Sequence, residues 1–186
     1  EGVGLWGGRL EAGTAECVVA LRRSVQFDWR LAPYDMRVNS AHLKELSRSG
    51  GIDETNSRAI LEGLVQLEQE IQNGNFTFTM EDEDVHSSIE RQLILKVGAM
   101  GGSIRAGRSR NDLVVTDFKL YLIDHLIEVA DLLCNLVKTL NVQATAHRES
   151  VAPGFTHLQH AQPINFGHEI AKHSHAFLRD IDRLKD

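Results

Sequence analysis

The sequence predicts an all-α protein: a small N-terminal helical domain over residues 1–107, then over 108–186 the beginning of a bundle of long helices. Three observations carry this expectation. Prolines number only three in 186 residues, Pro33, Pro153 and Pro163, so long helices are permitted. Apolar residues recur at helical spacing through most of the chain, and strand-like alternation is limited to Phe76-Thr77-Phe78-Thr79. From Asn111 to about His147 neither glycine nor proline intervenes.

The elements follow in order. Leu43 and Leu46, with Val38, mark a helix over about 32–49, stopped by Gly50-Gly51. Asp53 is a suitable N-cap for a helix carrying Ile60, Leu61, Leu64, Leu67 and Ile71, which Asn73-Gly74 ends. A loop runs to about Asp82. The next helix carries Ile89, Leu93 and Val97 and frays over 98–102. The stretch after Asn111 places Val114, Val115, Phe118, Leu122, Leu126, Val129, Leu133, Leu136, Val137 and Leu140 at helical period. A helix so long buries such a stripe only against similarly long partners, which argues for a bundle and an oligomer. A loop is expected over 151–163. The last helix starts near Phe166 and has no stop signal before Asp186, so the chain reads as part of a longer protein.

Bulk properties narrow the function. The net charge of −6 argues against a general nucleic-acid or anionic-membrane surface. No apolar run approaches the ~20 residues of a membrane span. Two cysteines, Cys17 and Cys134, form neither a disulfide framework nor a metal spacing, and a cytoplasmic location is the default. Several motifs fail on context. Gly2-Val3-Gly4-Leu5-Trp6-Gly7 fits a dinucleotide pattern, but no strand precedes it. His168-Glu169-Ile170-Ala171-Lys172 has Lys where a zinc motif needs its second His. His157 and His160 fall in the expected loop, so a metal site is a minority reading.

Two segments concentrate chemistry. Gly107-Arg108-Ser109-Arg110-Asn111-Asp112 packs two guanidiniums, a hydroxyl, an amide and a carboxylate just before the long helix. Helix starts favour anions, and arginine fits carboxylates in bidentate geometry. A plain capped helix with solvated arginines is the competing reading. Pro153-Gly154-Phe155-Thr156-His157-Leu158-Gln159-His160-Ala161-Gln162-Pro163 offers an imidazole able to move protons near neutral pH. Beside it, Thr156 and Gln159 can orient a carboxylate without titrating. A third cluster, Glu83-Asp84-Val85-His86-Ser87-Ser88-Ile89-Glu90-Arg91, reads by itself as a helix cap followed by solvated surface, with Glu90 and Arg91 on the outside.

Together with Leu5-Trp6-Gly7-Gly8-Arg9 and Val115-Thr116-Asp117, these segments resemble, in order and spacing, the argininosuccinate lyase family. That family is related to delta-crystallin within the fumarase/aspartase superfamily, and the resemblance covers nearly the whole chain. It implies an all-α fumarase/aspartase-like fold and a homotetramer whose active sites are shared between subunits. The implied reaction is reversible β-elimination of argininosuccinate to arginine and fumarate in arginine biosynthesis, without metal or organic cofactor. It implies that His157 is the acid/base histidine and that Thr156 binds a substrate carboxylate. Ser24, Arg110, Asn111 and Gln159 are then substrate-binding, with Asp84 and His86 near the site. A loop serine and further partners are expected beyond residue 186, so the fragment alone is expected to be inactive.

The sequence departs from the family at Ile104-Arg105-Ala106, where Leu/Ile-His-Thr is usual, and at Leu113, where Gln is usual. These changes bear on substrate preference. They keep open a related lyase acting on another succinyl adduct, and a catalytically silent crystallin-like homologue. His160 has no assigned role.

Overall fold

The structure is a computed structural model that describes residues 15–79 and 82–186. Its helices are α1 (Glu16–Arg22), α2 (Val25–Asp28), α3 (Ala32–Arg48), α4 (Glu54–Gln72), α5 (Val85–Val97), α6 (Arg110–Ala146) and α7 (Phe166–Arg183). Short 3₁₀ turns occupy Trp29–Leu31 and Ala99–Arg105. The strands β1 (Val151–Thr156) and β2 (Gln159–Asn165) form one antiparallel hairpin. Among the described residues the fold is helical apart from that hairpin. Packing divides the chain after Tyr121, within α6, into two compact units.

The first unit is built on α3, α4 and α5. Met36, Leu43 and Leu46 meet Ile60, Leu64 and Leu67 and the α5 residues Val85, Ile89 and Leu93, with Ile52 and Ile104 closing the cluster. Each of these side chains contributes roughly 1.5–3 kcal/mol by leaving water. The caps follow the sequence signals. Asp53 accepts from the Asn56 N–H at 2.9 Å, and Asn73 terminates α4. Phe76-Thr77-Phe78-Thr79 is not a strand. Among the described residues no strand pairs with it, and its alternation instead sets Phe76 and Phe78 against Trp29, ring centroids 4.7 and 5.6 Å apart.

In the second unit, α6 runs on to Ala146 and is tied to the start of α7. The Gly167 N–H donates to His147 O at 3.1 Å, and Asn165 caps α7 by accepting from the His168 N–H at 2.9 Å. The backbones approach so closely at Gly167 that a Cβ there would lie 2.4 Å from Ala144 O. The helix α7 closes at Arg183. Along α6, Val115, Phe118, Leu126, Val129 and Leu136 are 36–52% exposed, so much of the apolar stripe is uncovered within this chain. The segment expected as a loop over 151–163 is the hairpin. Its register pairs Val151 with Asn165 and Pro153 with Pro163, and slips by a bulge before Phe155 pairs with His160. Prolines are tolerated here because both strands of a two-stranded sheet are edges.

Candidate functional site

The residues singled out near the N-terminal end meet at the start of α5. Asp84 caps that helix: its carboxylate accepts from the Ser87 N–H at 2.8 Å, while Ser87 Oγ accepts from the Asp84 N–H at 3.1 Å. This reciprocal capping box satisfies two otherwise orphaned donors. The Arg110 guanidinium, on the first residue of α6, pairs with the same carboxylate. Burial raises the Asp84 carboxyl, but the Ser87 N–H and the Arg110 charge outweigh it and hold it below its ordinary range.

Ser24 joins this assembly from the other side. Its Oγ donates to Asp28 Oδ2 at 2.6 Å, and Asp28 Oδ1 accepts from the Val85 N–H at 3.1 Å. Backbone bonds from Ser24 N–H and Val25 N–H to Glu83 O, at 2.8 and 3.3 Å, fasten the same segment to the residue just before the cap of α5.

In the first turn of α5, His86 is buried between two acids. Its Nδ1 lies 2.6 Å from Asp35 Oδ2 on α3 and 3.4 Å from Asp117 Oδ2 on α6. Asp35 also contacts Asn39 Nδ2, and Arg108 Nη2 donates to Asn39 Oδ1 at 2.5 Å. Burial pushes Asp117 up to about 7, and the neighbouring Asp35 adds to the shift. Burial also raises Asp35, against the pull of the His86 hydrogen bond. For His86, burial lowers the imidazole, but the hydrogen bond and charge of Asp35 prevail and raise it. Desolvation lowers Arg108 despite Asp35 and Asp117 nearby.

Asp35, His86 and Asp117 offer one nitrogen and two carboxylate oxygens within 4.8 Å of one another, a donor set able in principle to hold a cation. The 2.6 Å separation of His86 Nδ1 and Asp35 Oδ2 is a hydrogen-bond length. Two ligands on a metal with bonds of ~2.1 Å stand about 3 Å apart.

The start of α6 is capped by side chains on both sides. Ser109 Oγ accepts from the Asn111 N–H at 3.2 Å, and Asp112 Oδ2 accepts from the Ser109 N–H at 2.9 Å. Gly107, at φ +68°, supplies the left-handed turn that feeds it. Thus the cap is real and also aims Arg110 inward, while Asn111 stays exposed. A cavity of about 60 Å³ opens beside this junction, lined among others by His86, Glu90, Arg105, Arg108, Arg110 and Leu113. Arg105 pairs with Glu90 at 3.3 Å, and Arg91 grips Asp82 by two bonds of 2.8 Å. Neither Glu90 nor Arg91 is the solvated surface residue that the sequence suggested.

Thr156, His157 and Gln159 share the hairpin turn of the second unit. Thr156 pairs with Gln159, leaving His157 and Leu158 as the two turn residues at φ +49° and +62°. Positive φ at both positions is the type I′ pattern, which normally recruits Asn or Gly. Non-glycine residues held there are strained, as functional turns often are. All four residues are exposed.

The structure therefore gathers Ser24, Asp84, His86 and Arg110 into one network in the first unit, and Thr156, His157 and Gln159 onto one turn in the second. Sequence reasoning gave no role to Asp28, Asp35 or Asn39, and named Arg108 and Asp117 only within their motifs, with no role of their own. Asp35 and Asn39 stand four apart on α3, a spacing that places them on one face, and this was the available signal. The glycine-rich start and Leu5-Trp6-Gly7-Gly8-Arg9 lie outside the described residues.

Known proteins give an independent comparison. The family described as Lyase matches residues 8–186. Argininosuccinate lyase of Frankia casuarinae is 52% identical over 182 residues, covering 98% of this chain and 39% of that protein. The argininosuccinate lyase of Acidothermus cellulolyticus is 47% identical, covering 98% and 37%. The chain thus spans less than two fifths of these relatives' length. Among solved structures, EDDS lyase in complex with formate matches with a TM-score of 0.69 at 27% identity, over 84% of this chain and 30% of that one. Fumarate lyase from Mesorhizobium sp. BNC1 matches with a TM-score of 0.67 at 22% identity, over 95% and 41%, a likeness of fold.

Proposed function

This chain belongs to the lyase family, and we propose that the complete protein is an argininosuccinate lyase, cleaving argininosuccinate reversibly to arginine and fumarate. The observation that carries this reading is the similarity to argininosuccinate lyases along 98% of the chain. The reaction breaks a C–N bond. A base takes the weakly acidic proton next to a carboxylate, and preorganised donors stabilise the charge that builds there. A proton donor then helps the guanidinium nitrogen leave. His157 is the acid/base group. Thr156 and Gln159, neutral beside it, orient a substrate carboxylate. Arg110 and Asn111 bind the succinate part from the start of α6. Asp84 fixes the Arg110 guanidinium, while Ser24 and His86 complete that side of the site.

The same reading makes residues 1–107 the N-terminal domain and 108–186 the beginning of the central bundle. It makes the protein a cytoplasmic homotetramer with shared active sites, serving arginine biosynthesis. The uncovered apolar stripe of α6 supports assembly with further long helices. Among the described residues no helix is long and apolar enough to cross a membrane.

The test is fumarate release by the complete protein supplied with argininosuccinate, followed by ultraviolet absorbance. Turnover supports the reading; an inert argininosuccinate sinks it. A second reading, a lyase for another succinyl adduct, is favoured by Arg105 and Leu113, because both line the cavity beside Arg110. Turnover of a different succinyl amine with argininosuccinate inert would select it.

A further inference from the structure

The geometry points to a role for two residues to which the family's motif reading assigns none. We propose that Asp35 and Asp117 are positioning residues: Asp35 grips His86 through Nδ1, and Asp117, close to the same nitrogen, shares one proton with Asp35. His86 is thereby presented as a cationic donor, for a substrate carboxylate, to the arginine-lined cavity.

Three observations carry this. First, Asp35 and Asp117 are 0% exposed and His86 is 6% exposed, so water does not neutralise them. Second, among the described residues neither carboxyl oxygen of Asp117 has a hydrogen-bond donor, although Asp35 stands beside it. A lone buried carboxylate is strongly disfavoured, and two carboxyl groups bridge only when one carries a proton. Third, both acids sit at Nδ1, and His86 also lines the cavity with Arg108 and Arg110. Among the described residues Nε2 makes no hydrogen bond, so it is the nitrogen available to a ligand. With Nδ1–H committed to Asp35, a charged ring makes Nε2 a donor, and a neutral ring makes it an acceptor.

The groups facing Asp117 are Asp35 from α3, His86 from α5 and Arg108 from the turn before α6. Asp84 acts further on His86, and Glu90 and Asp112 on Arg108. Such a set titrates as a unit. Burial and the Asp35 charge place the Asp117 step at about 7. On the acid side the three groups are together neutral: one imidazolium, one carboxylate, one carboxyl. On the alkaline side the shared proton is gone and one negative charge is added beside Arg108 and Arg110. Anion binding must then weaken as pH rises through that step.

The ligand named here rests on the lyase reading, so the experiment on the complete protein has two readouts. His86 is followed by NMR of its labelled imidazole from pH 5 to 9, in the wild type, Asp117→Asn and Asp35→Asn. Fumarate affinity is measured over the same range. Expected is a second inflection near pH 7 in the wild-type His86 curve that Asp117→Asn removes. Expected too is a fumarate affinity that falls about tenfold from pH 6 to 8 in the wild type and stays level in Asp117→Asn. Asp35→Asn, which loosens the Nδ1 anchor, should lower the His86 midpoint. Superimposable His86 curves in all three proteins overturn the proposal. A cluster signature without fumarate binding at any pH overturns the lyase reading while leaving the shared proton supported. Stoichiometric Zn²⁺ binding that Asp117→Asn abolishes overturns the shared proton in favour of a cation site.

Discussion

His86 Nδ1 and Asp35 Oδ2 stand 2.6 Å apart with both side chains buried, and this contact ties α3 to α5 across 51 residues of sequence. Asp35→Ala would leave the imidazole and the Asn39–Arg108 pair without their anchor. Removing one partner of a buried ion pair typically destabilises by about 3–5 kcal/mol. The expected outcome is a denaturation midpoint lowered accordingly in the complete protein. A midpoint equal to wild type would show that the pair does not hold the helices.

Asp117 gives a signed pH dependence. Its folded value of about 7 lies above the ordinary 3.8, so folding takes up a proton between these two values. The stability that this group contributes is full below 3.8 and is lost as pH rises toward 7. Asp117→Asn, uncharged throughout, should therefore gain on wild type across that window and level off above it. The advantage should reach roughly 1–3 kcal/mol, the scale of an unsatisfied buried polar group. Denaturant titrations at pH 4, 6 and 8 check it; an advantage that shrinks with pH would contradict the assignment.

Leu158 is 98% exposed at φ +62°, so it contributes strain and almost no burial. Leu158→Gly should stabilise the hairpin by about 0.5–1 kcal/mol, the left-handed penalty less the entropy of glycine. Hydrogen exchange of the β1 and β2 amides should slow by a few-fold. Faster exchange would mean that the turn is held by something other than its backbone.

Arg110→Ala and His157→Asn should separate binding from chemistry in the complete enzyme. The first removes a charge-assisted contact of roughly 1.5–3 kcal/mol and should act mainly on KM. The second should lower kcat by about a hundredfold or more if His157 carries a proton. A His157→Asn enzyme of near-normal turnover would remove that residue from the mechanism.

The helices α3 to α7 were legible because their signals are local. Asp53 and Gly50 mark ends, and the run without glycine or proline after Asn111 permits only a long helix. The hairpin was not legible. Its strands are largely exposed, so no apolar alternation announces them, and Pro153, Gly154 and Pro163 each speak for a loop. The helices α1 and α2 are too short to show a period. Ser24, Asp84, His86 and Arg110 could be named from sequence, but their acidic partners could not. Asp35 passes as an ordinary acid in the first turn of α3, and Asp117 stands in a recognisable segment that does not say what it faces. Only folding makes them neighbours of one imidazole.

The facing prolines of the hairpin have a consequence for how this protein behaves in a crowd. Opposed residues in an antiparallel ladder alternate between pairs that exchange N–H···O bonds and pairs that do not. Pro153 and Pro163 have no N–H, so theirs is a pair that exchanges none, and their nitrogens face away from the ladder. Each outer edge therefore lacks a donor at the point where a foreign strand would dock. A two-stranded sheet is all edge, and edges invite strand addition and aggregation. By placing proline on both sides, the hairpin carries an exposed histidine turn without offering a template for fibre growth.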